Sequence, residues 1–253
     1  MKIIAHRGAS GEFPENSLLA FEQAILQGCD GIEFDIQYHQ PSGEFILLHD
    51  SYLNRTEESS DEEGFSKEKV HFNQLSLTDL TDMSTKGKYR LCTLADALQC
   101  INQQCLINIE LKSATQGLPL ADEMQKLEQL IQQLKLDGVI AYQQIIISSF
   151  NHHTLLHTKK YLSAVNTAAL IVCCPVDYAE FCKKLKVNML NLAIDFINPE
   201  IINDAHSKGL QVWVYTVDHP AQIKQCLQYQ VDGIFTNFPA RSREVMLALT
   251  GDK

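Results

Sequence analysis

The sequence predicts an α/β chain folded as a single (β/α)8 barrel, with a small insertion between the second and third βα units. Its 253 residues match the roughly 250 residues over which such barrels are built. Eight short β-branched apolar runs alternate with longer segments of helical period, as in βα units around a parallel sheet. No G-x-G-x-x-G follows the first run, which argues against an open, doubly wound sheet.

The eight strands are expected at 3–6, 31–37, 105–111, 144–148, 168–172, 189–193, 211–215 and 233–236. Helical periodicity places helices at 17–27, 93–101, 118–136, 152–161, 178–185, 199–207, 220–229 and 240–249. Pro199 and Pro220 suit first-turn positions and Gly209 a helix stop. Segment 51–90 breaks the rhythm: it holds the acidic run 57–63, several Ser and Thr residues and few long apolar runs. A stretch that long reads as an excursion over the barrel mouth, its acidic run as a solvated face, and 93–101 as the helix that rejoins the barrel.

With 45% hydrophobic and 21% charged residues the chain can bury a sizeable core. A net charge of −10 repels polyanions at long range and excludes nucleic acid as a partner, while leaving a small anionic substrate possible in a locally cationic cleft. The eight cysteines form no C-x-x-C pair and mostly sit in apolar stretches, so they read as reduced, buried thiols of a cytoplasmic protein. The first apolar run is three residues long, too short for a signal peptide, and no stretch approaches the length of a membrane span. No stable membrane association is expected; the sequence is silent on oligomeric state.

Barrel sites lie at the C-terminal ends of the strands, so polar residues that end apolar runs are the informative ones. The first run ends in His6-Arg7-Gly8. In the second, Glu33 and Asp35 share a face because strand side chains alternate, and Glu110 and Lys112 share one in the third by the same rule. A carboxylate within an apolar strand needs compensation. Ion pairing with Arg7 and Lys112 would suffice for any one of them, but three converging carboxylates make an oxygen-rich site suited to Mg²⁺ or Ca²⁺. Mutual repulsion without a cation leads to the expectation that removing Asp35 or Glu110 costs activity far more than folding. His49, after the apolar stretch 45–48, adds to His6 a second imidazole, a workable acid and base pair for a phosphoester.

The stretch HRGASGEFPENSLLAF resembles the N-terminal signature of the glycerophosphodiester phosphodiesterase family, with its HRG, short loop, PEN and helix. GIEFDIQYHQPSGEFILLHD resembles that family's metal-binding strand and second histidine, INIELK its third strand, and ISSF, VWVYTVD and DGIFTNFP later landmarks. The likeness runs nearly end to end, so the whole chain 1–253 is expected to be one TIM-barrel domain. It departs at Leu91-Cys92-Thr93-Leu94, at EESSDEEG, and at Asn237, where the family commonly has Asp.

The resemblance implies Glu33, Asp35 and Glu110 as ligands of a divalent metal, Mg²⁺ or Ca²⁺, and His6 and His49 as acid and base. It implies Arg7 and Lys112 as phosphate contacts, Glu15 and Asn16 as residues at the site, and Trp213 as an aromatic facing the substrate. Glu15 and Asn16 could equally cap the helix starting near Ser17, and Trp213 could be core. The implied reaction cuts glycerophosphodiesters such as glycerophosphocholine or glycerophosphoethanolamine to sn-glycerol 3-phosphate and an alcohol. The glycerol 2-hydroxyl attacks first, giving a cyclic phosphate that water opens. The rival readings are a related barrel phosphodiesterase acting on lysophospholipids and a non-catalytic phosphate-binding barrel.

Overall fold

The computed structural model describes residues 1–54, 69–85, 91–112 and 119–251. The elements run β1 (Lys2–His6), α1 (Leu18–Leu26), β2 (Gly31–His39), β3 (Glu44–Leu47), β4 (Tyr52–Asn54), β5 (Lys69–His71), α2 (Leu77–Thr85), α3 (Leu94–Ile101) and β6 (Leu106–Leu111). They continue α4 (Leu120–Leu136), β7 (Ile145–Ser149), α5 (His152–Tyr161), β8 (Asn166–Ile171), α6 (Phe181–Leu185), β9 (Met189–Ala193), α7 (Pro199–Ser207), β10 (Gln211–Tyr215), α8 (Pro220–Gln228), β11 (Gly233–Thr236) and α9 (Pro239–Thr250).

Eight strands pair in parallel in the order β1-β2-β6-β7-β8-β9-β10-β11, and β11 returns to β1. The sheet is therefore closed, a (β/α)8 TIM barrel. Following the strand register around the circle from Ile4 brings the chain back to β1 displaced by eight residues, the shear of such a barrel. This register stacks the interior side chains in layers contributed by alternate strands. Ile4, Asn108, Ala168 and Trp213 make one layer. Glu33, Ser148, Asn191 and Phe235 make the next toward the strand C-termini, and His6, Glu110, Leu170 and Tyr215 the one above it. The interior thus grades from apolar to polar along the barrel axis, which fixes where chemistry can occur.

The outward faces of the strands pack under the helices, and every residue of β2 is buried. The ends of the helices follow local chemistry. Ser17 caps α1 by accepting from the Ala20 N–H, Thr93 and Asp96 form a reciprocal capping box on α3, and Asn198 caps α7 with Pro199 in its first turn. Gly8 sits at φ +82, where a Cβ would lie 2.7 Å from that of Ala20. Only glycine lets the chain turn there from β1 toward α1.

The structure corrects the sequence reading in several places. The helix expected at 178–185 is only Phe181–Leu185, because Tyr178 adopts φ 48, a left-handed backbone that stops a helix from starting earlier. Strand β2 runs on to His39, since its last residues pair antiparallel with β3. Within 51–90, β4 and β5 pair antiparallel and α2 follows β5. Phe72 and Leu80 from this insertion join Ile46, Leu48 and Leu91 in a small apolar cluster of their own. The acidic run 57–63 lies outside the described residues, as does position 118 at the expected start of α4. Cys173 and Cys174 are exposed rather than core-like. No helix among the described residues is long and apolar enough to cross a membrane.

Candidate active site

The C-terminal mouth of the barrel holds an open cavity of about 250 Å³, part of it open solvent, lined by His6, Glu33, Asn108, Glu110, Leu170, Tyr215 and Phe235. All but Asn108 belong to the two layers nearest the mouth. One wall is apolar and aromatic, the other carries charge.

Glu33, Asp35 and Glu110 are each at most 9% exposed and bring one carboxylate oxygen apiece within 4.8 Å of the others. Register explains the convergence, since Asp35 stands directly beside Glu110 on the neighbouring strand. Burial, then the charges of Asp35 and Glu110, push Glu33 well above the usual carboxylate range. Glu110 is raised by burial and Asp35, partly offset by Lys112. Asp35 behaves oppositely: burial pushes it up, but Lys112 and Arg7 outweigh that and hold it below its ordinary value.

The reason is geometric. Lys112 Nζ lies 2.9 Å from Asp35 Oδ1 and 2.6 Å from Glu110 Oε1. Arg7 Nε is 3.1 Å from Asp35 Oδ2, but it makes no aligned hydrogen bond, so this contact is an ion pair. Arg7 takes φ 57 at the end of β1, and its backbone N–H donates to Glu33 Oε2 at 3.0 Å. Ion pairing with Arg7 and Lys112 and clustering of carboxylates are therefore both present.

Glu15, half exposed, pairs with Arg7 Nη1 at 2.9 Å. Asn16 is buried and clasps Asp35: its Nδ2 donates to Asp35 Oδ2 and its Oδ1 accepts from the Asp35 N–H. Neither caps α1, a task that falls to Ser17. His49 stands at the rim after β3, with Nδ1 2.8 Å from Asp50 Oδ1, near enough for its charge to act on Glu110. Trp213 is 1% exposed and packs edge-on against Phe235. It lies one layer below Phe235 and two below Tyr215, the aromatics that line the cavity, and is not itself among the lining residues.

His6 is lowered by burial and by Arg7. Its Nδ1 meets Asn237 Oδ1 at 2.8 Å and its Nε2 lies 4.0 Å from Glu33 Oε2. Sequence reasoning singled out none of Asn108, Tyr215, Asp218 or Ser10 as a site residue. Strand parity with Trp213 could have found Tyr215 and parity with Glu110 could have found Asn108. Asp218 lies on a loop and carries no local signal.

A family model described as the glycerophosphoryl diester phosphodiesterase family matches residues 6–241. The chain belongs to that family. Its members are phosphoric diester hydrolases, and this family member shares 29% identity with a glycerophosphodiester phosphodiesterase of Bacillus altitudinis, over 96% of this chain and 97% of that one. A glycerophosphodiester phosphodiesterase of Caldanaerobacter subterraneus is 29% identical over 94% of each chain. Among solved structures, an Oleispira antarctica phosphodiesterase in complex with the product sn-glycerol-3-phosphate superposes with a TM-score of 0.79 at 21% identity, covering 97% of this chain and 96% of that one. A glycerophosphodiester phosphodiesterase of Parabacteroides distasonis matches equally, with a TM-score of 0.79 and 98% coverage of both chains. At these identities the structural likeness speaks for the fold.

Proposed function

We propose that this family member hydrolyses small glycerophosphodiesters, such as glycerophosphocholine and glycerophosphoethanolamine, to sn-glycerol 3-phosphate and a free alcohol. The observation that carries the reading is the meeting, at one barrel mouth, of three carboxylates within 4.8 Å of one another, two cationic side chains and an imidazole.

The donor set fits a divalent cation. Among the described residues Glu33 Oε1 is buried without a hydrogen-bond partner, an orphaned acceptor of the kind a metal ion satisfies. All three candidate ligands are oxygen donors, the preference of Mg²⁺ and Ca²⁺. Glu33, Asp35 and Glu110 would hold the ion, which when bound supplies positive charge to a phosphate and a Lewis acid for its oxygens. Three carboxylates against Arg7 and Lys112 leave one negative charge. A divalent cation turns that into one positive charge, suited to a phosphodiester monoanion.

The chain's own residues do the rest. Arg7 and Lys112, each 17% exposed at the side chain, present fixed donors toward the mouth and share the charge of the non-bridging oxygens. His6 and His49 move protons, one taking the proton of the attacking hydroxyl and the other supplying one to the departing alkoxide, whose high pKa requires it. Tyr215, Leu170 and Phe235 give the carbon skeleton an apolar wall. Glu15 and Asn16 act through their partners, steadying Arg7 and Asp35. We read residues 1–253 as one domain acting in the cytoplasm on a small soluble substrate, a reading supported by eight cysteines of which none forms a disulfide.

A coupled glycerol 3-phosphate assay over a panel of headgroups tests the proposal. Broad headgroup tolerance is expected, because the directed contacts are made to phosphate and glycerol. Turnover confined to acylated substrates would overturn it.

A further inference from the structure

Behind His6, on the side away from the carboxylates, lies a hydrogen-bonded chain whose donors and acceptors can be assigned without ambiguity. Asp218, in the loop after β10, receives the backbone N–H of Asn237 at Oδ1 (2.8 Å) and the Thr236 hydroxyl at the same oxygen (2.9 Å). Its other oxygen, Oδ2, lies 2.7 Å from Asn237 Nδ2. An ionised carboxylate only accepts, so the Asn237 amide must turn its NH₂ toward Asp218. The reverse orientation would set two acceptors against each other at hydrogen-bond distance.

The other end of the amide is then fixed as well. Asn237 Oδ1 faces His6 Nδ1 at 2.8 Å, and as an acceptor it demands a hydrogen on that nitrogen. Ser10 Oγ, 2.9 Å from the same Oδ1 and 2.6 Å from the His6 carbonyl, offers its hydrogen to this pair of acceptors and cannot replace the imidazole donor at both. A neutral imidazole carries one N–H. With Nδ1 protonated, Nε2 is bare, and Nε2 is the atom nearest the carboxylate cluster, 4.0 Å from Glu33.

We propose that Asp218 and Asn237 are positioning residues that hold His6 in the Nδ1–H tautomer, so that its Nε2 enters the reaction as the proton acceptor. The inference rests on the phosphodiesterase reading above for its kinetic consequence, not for the tautomer. Burial and Arg7 disfavour the charged ring, which agrees with it. The step balances: Nε2 takes the hydrogen of the attacking hydroxyl as its oxygen bonds to phosphorus, the bond from phosphorus to the departing alcohol oxygen breaks and that oxygen takes a proton from His49, and Nδ1 keeps its own hydrogen on Asn237 throughout. The arrangement also accounts for an amide where the family commonly has a carboxylate, because a second carboxylate at 237 would lie 2.7 Å from Asp218.

The test exchanges the two groups. In Asp218→Asn the side chain at 218 can donate, so Asn237 is free to rotate and present NH₂ to His6, favouring the Nε2–H form. In the double variant Asp218→Asn, Asn237→Asp, the amide now at 218 still accepts through its carbonyl oxygen from the 236 and 237 donors. Its NH₂ donates to the carboxylate now at 237, and that carboxylate accepts from His6 Nδ1. The lock is rebuilt with the same net charge. ¹⁵N-histidine spectra of the metal-free protein should show His6 protonated at Nδ1 in the wild type and the double variant, and shifted toward Nε2–H in Asp218→Asn. With glycerophosphocholine, kcat should fall on the order of 10²-fold in Asp218→Asn, with KM little changed, and recover most of that loss in the double variant. A wild-type spectrum with Nε2 protonated overturns the proposal, as does a double variant whose kcat is no better than that of the single one. The spectra need no substrate, so failure of the tautomer and failure of the substrate assignment are separate results.

Discussion

Glu123 gives the clearest quantitative consequence of the packing. It lies in the first turn of α4, only 6% exposed, beside the buried Met124 and Leu127. Among the described residues no ion pair or side-chain hydrogen bond compensates its carboxyl. Burial pushes it from its ordinary 4.5 to about 7. The folded protein therefore holds this proton over a range where the unfolded chain has released it. Stability from this group is complete below about pH 4.5 and is lost as pH rises through about 7. The difference amounts to about 3 kcal/mol above pH 7, at about 1.4 kcal/mol per pH unit. Glu123→Gln removes the charge while keeping the shape. We expect it to melt higher than the wild type at pH 8 by on the order of 5–10 °C, and to match it at pH 4.5. Urea or thermal melts of both proteins across this range are the assay. A stability difference that does not change with pH would refute the reasoning.

Four further outcomes follow from the site. Exhaustive chelation should abolish hydrolysis, and Mg²⁺ or Ca²⁺ should restore it; full activity in the chelated protein would remove the basis for a cation at Glu33, Asp35 and Glu110. Asp35→Ala should destabilise the metal-free fold by about 1–3 kcal/mol, because Arg7 and Lys112 lose their shared counter-ion but keep Glu15 and Glu110, whereas Glu33→Gln should leave its melting temperature unchanged or raised, as differential scanning calorimetry can show. His6→Ala and His49→Ala should each lower kcat by roughly 10²–10⁴-fold with natural substrates, but with a p-nitrophenyl ester the His that acts as acid should matter much less; equal losses for both variants on both substrates would contradict the division of labour. Gly8→Ala should cost at least about 1 kcal/mol in stability, since φ +82 and a Cβ 2.7 Å from Ala20 leave it no room.

The sequence made the barrel legible because alternation of short apolar runs with helical periods is a local signal, and all eight barrel strands fall within a few residues of the runs that predict them. Strand parity also grouped Glu33 with Asp35 and Glu110 with Lys112, since the period of two is a property of extended backbone. What parity could not supply was the pairing across strands. Asp35 was expected to be a repelled carboxylate. In the fold it is the counter-ion of two cations and the partner of Asn16, contacts that argue for a folding cost on its loss beside the expected loss of activity. The Asp218–Asn237–His6 chain joins residues up to 231 positions apart, so no window of sequence contains it. The late start of α6 at Phe181 depends on one left-handed residue, Tyr178, whose side-chain type does not announce that backbone.

The most direct measurement is the identity of the two products. Purified protein incubated with glycerophosphocholine and Mg²⁺ or Ca²⁺, followed by ³¹P resonance and mass spectrometry, distinguishes the bond that is cut. The geometry and the family lead us to expect sn-glycerol 3-phosphate and free choline in equal amounts, with no such products after chelation. Choline phosphate and glycerol as products, or intact diester alongside rapid turnover of an acylated phospholipid, would contradict the account.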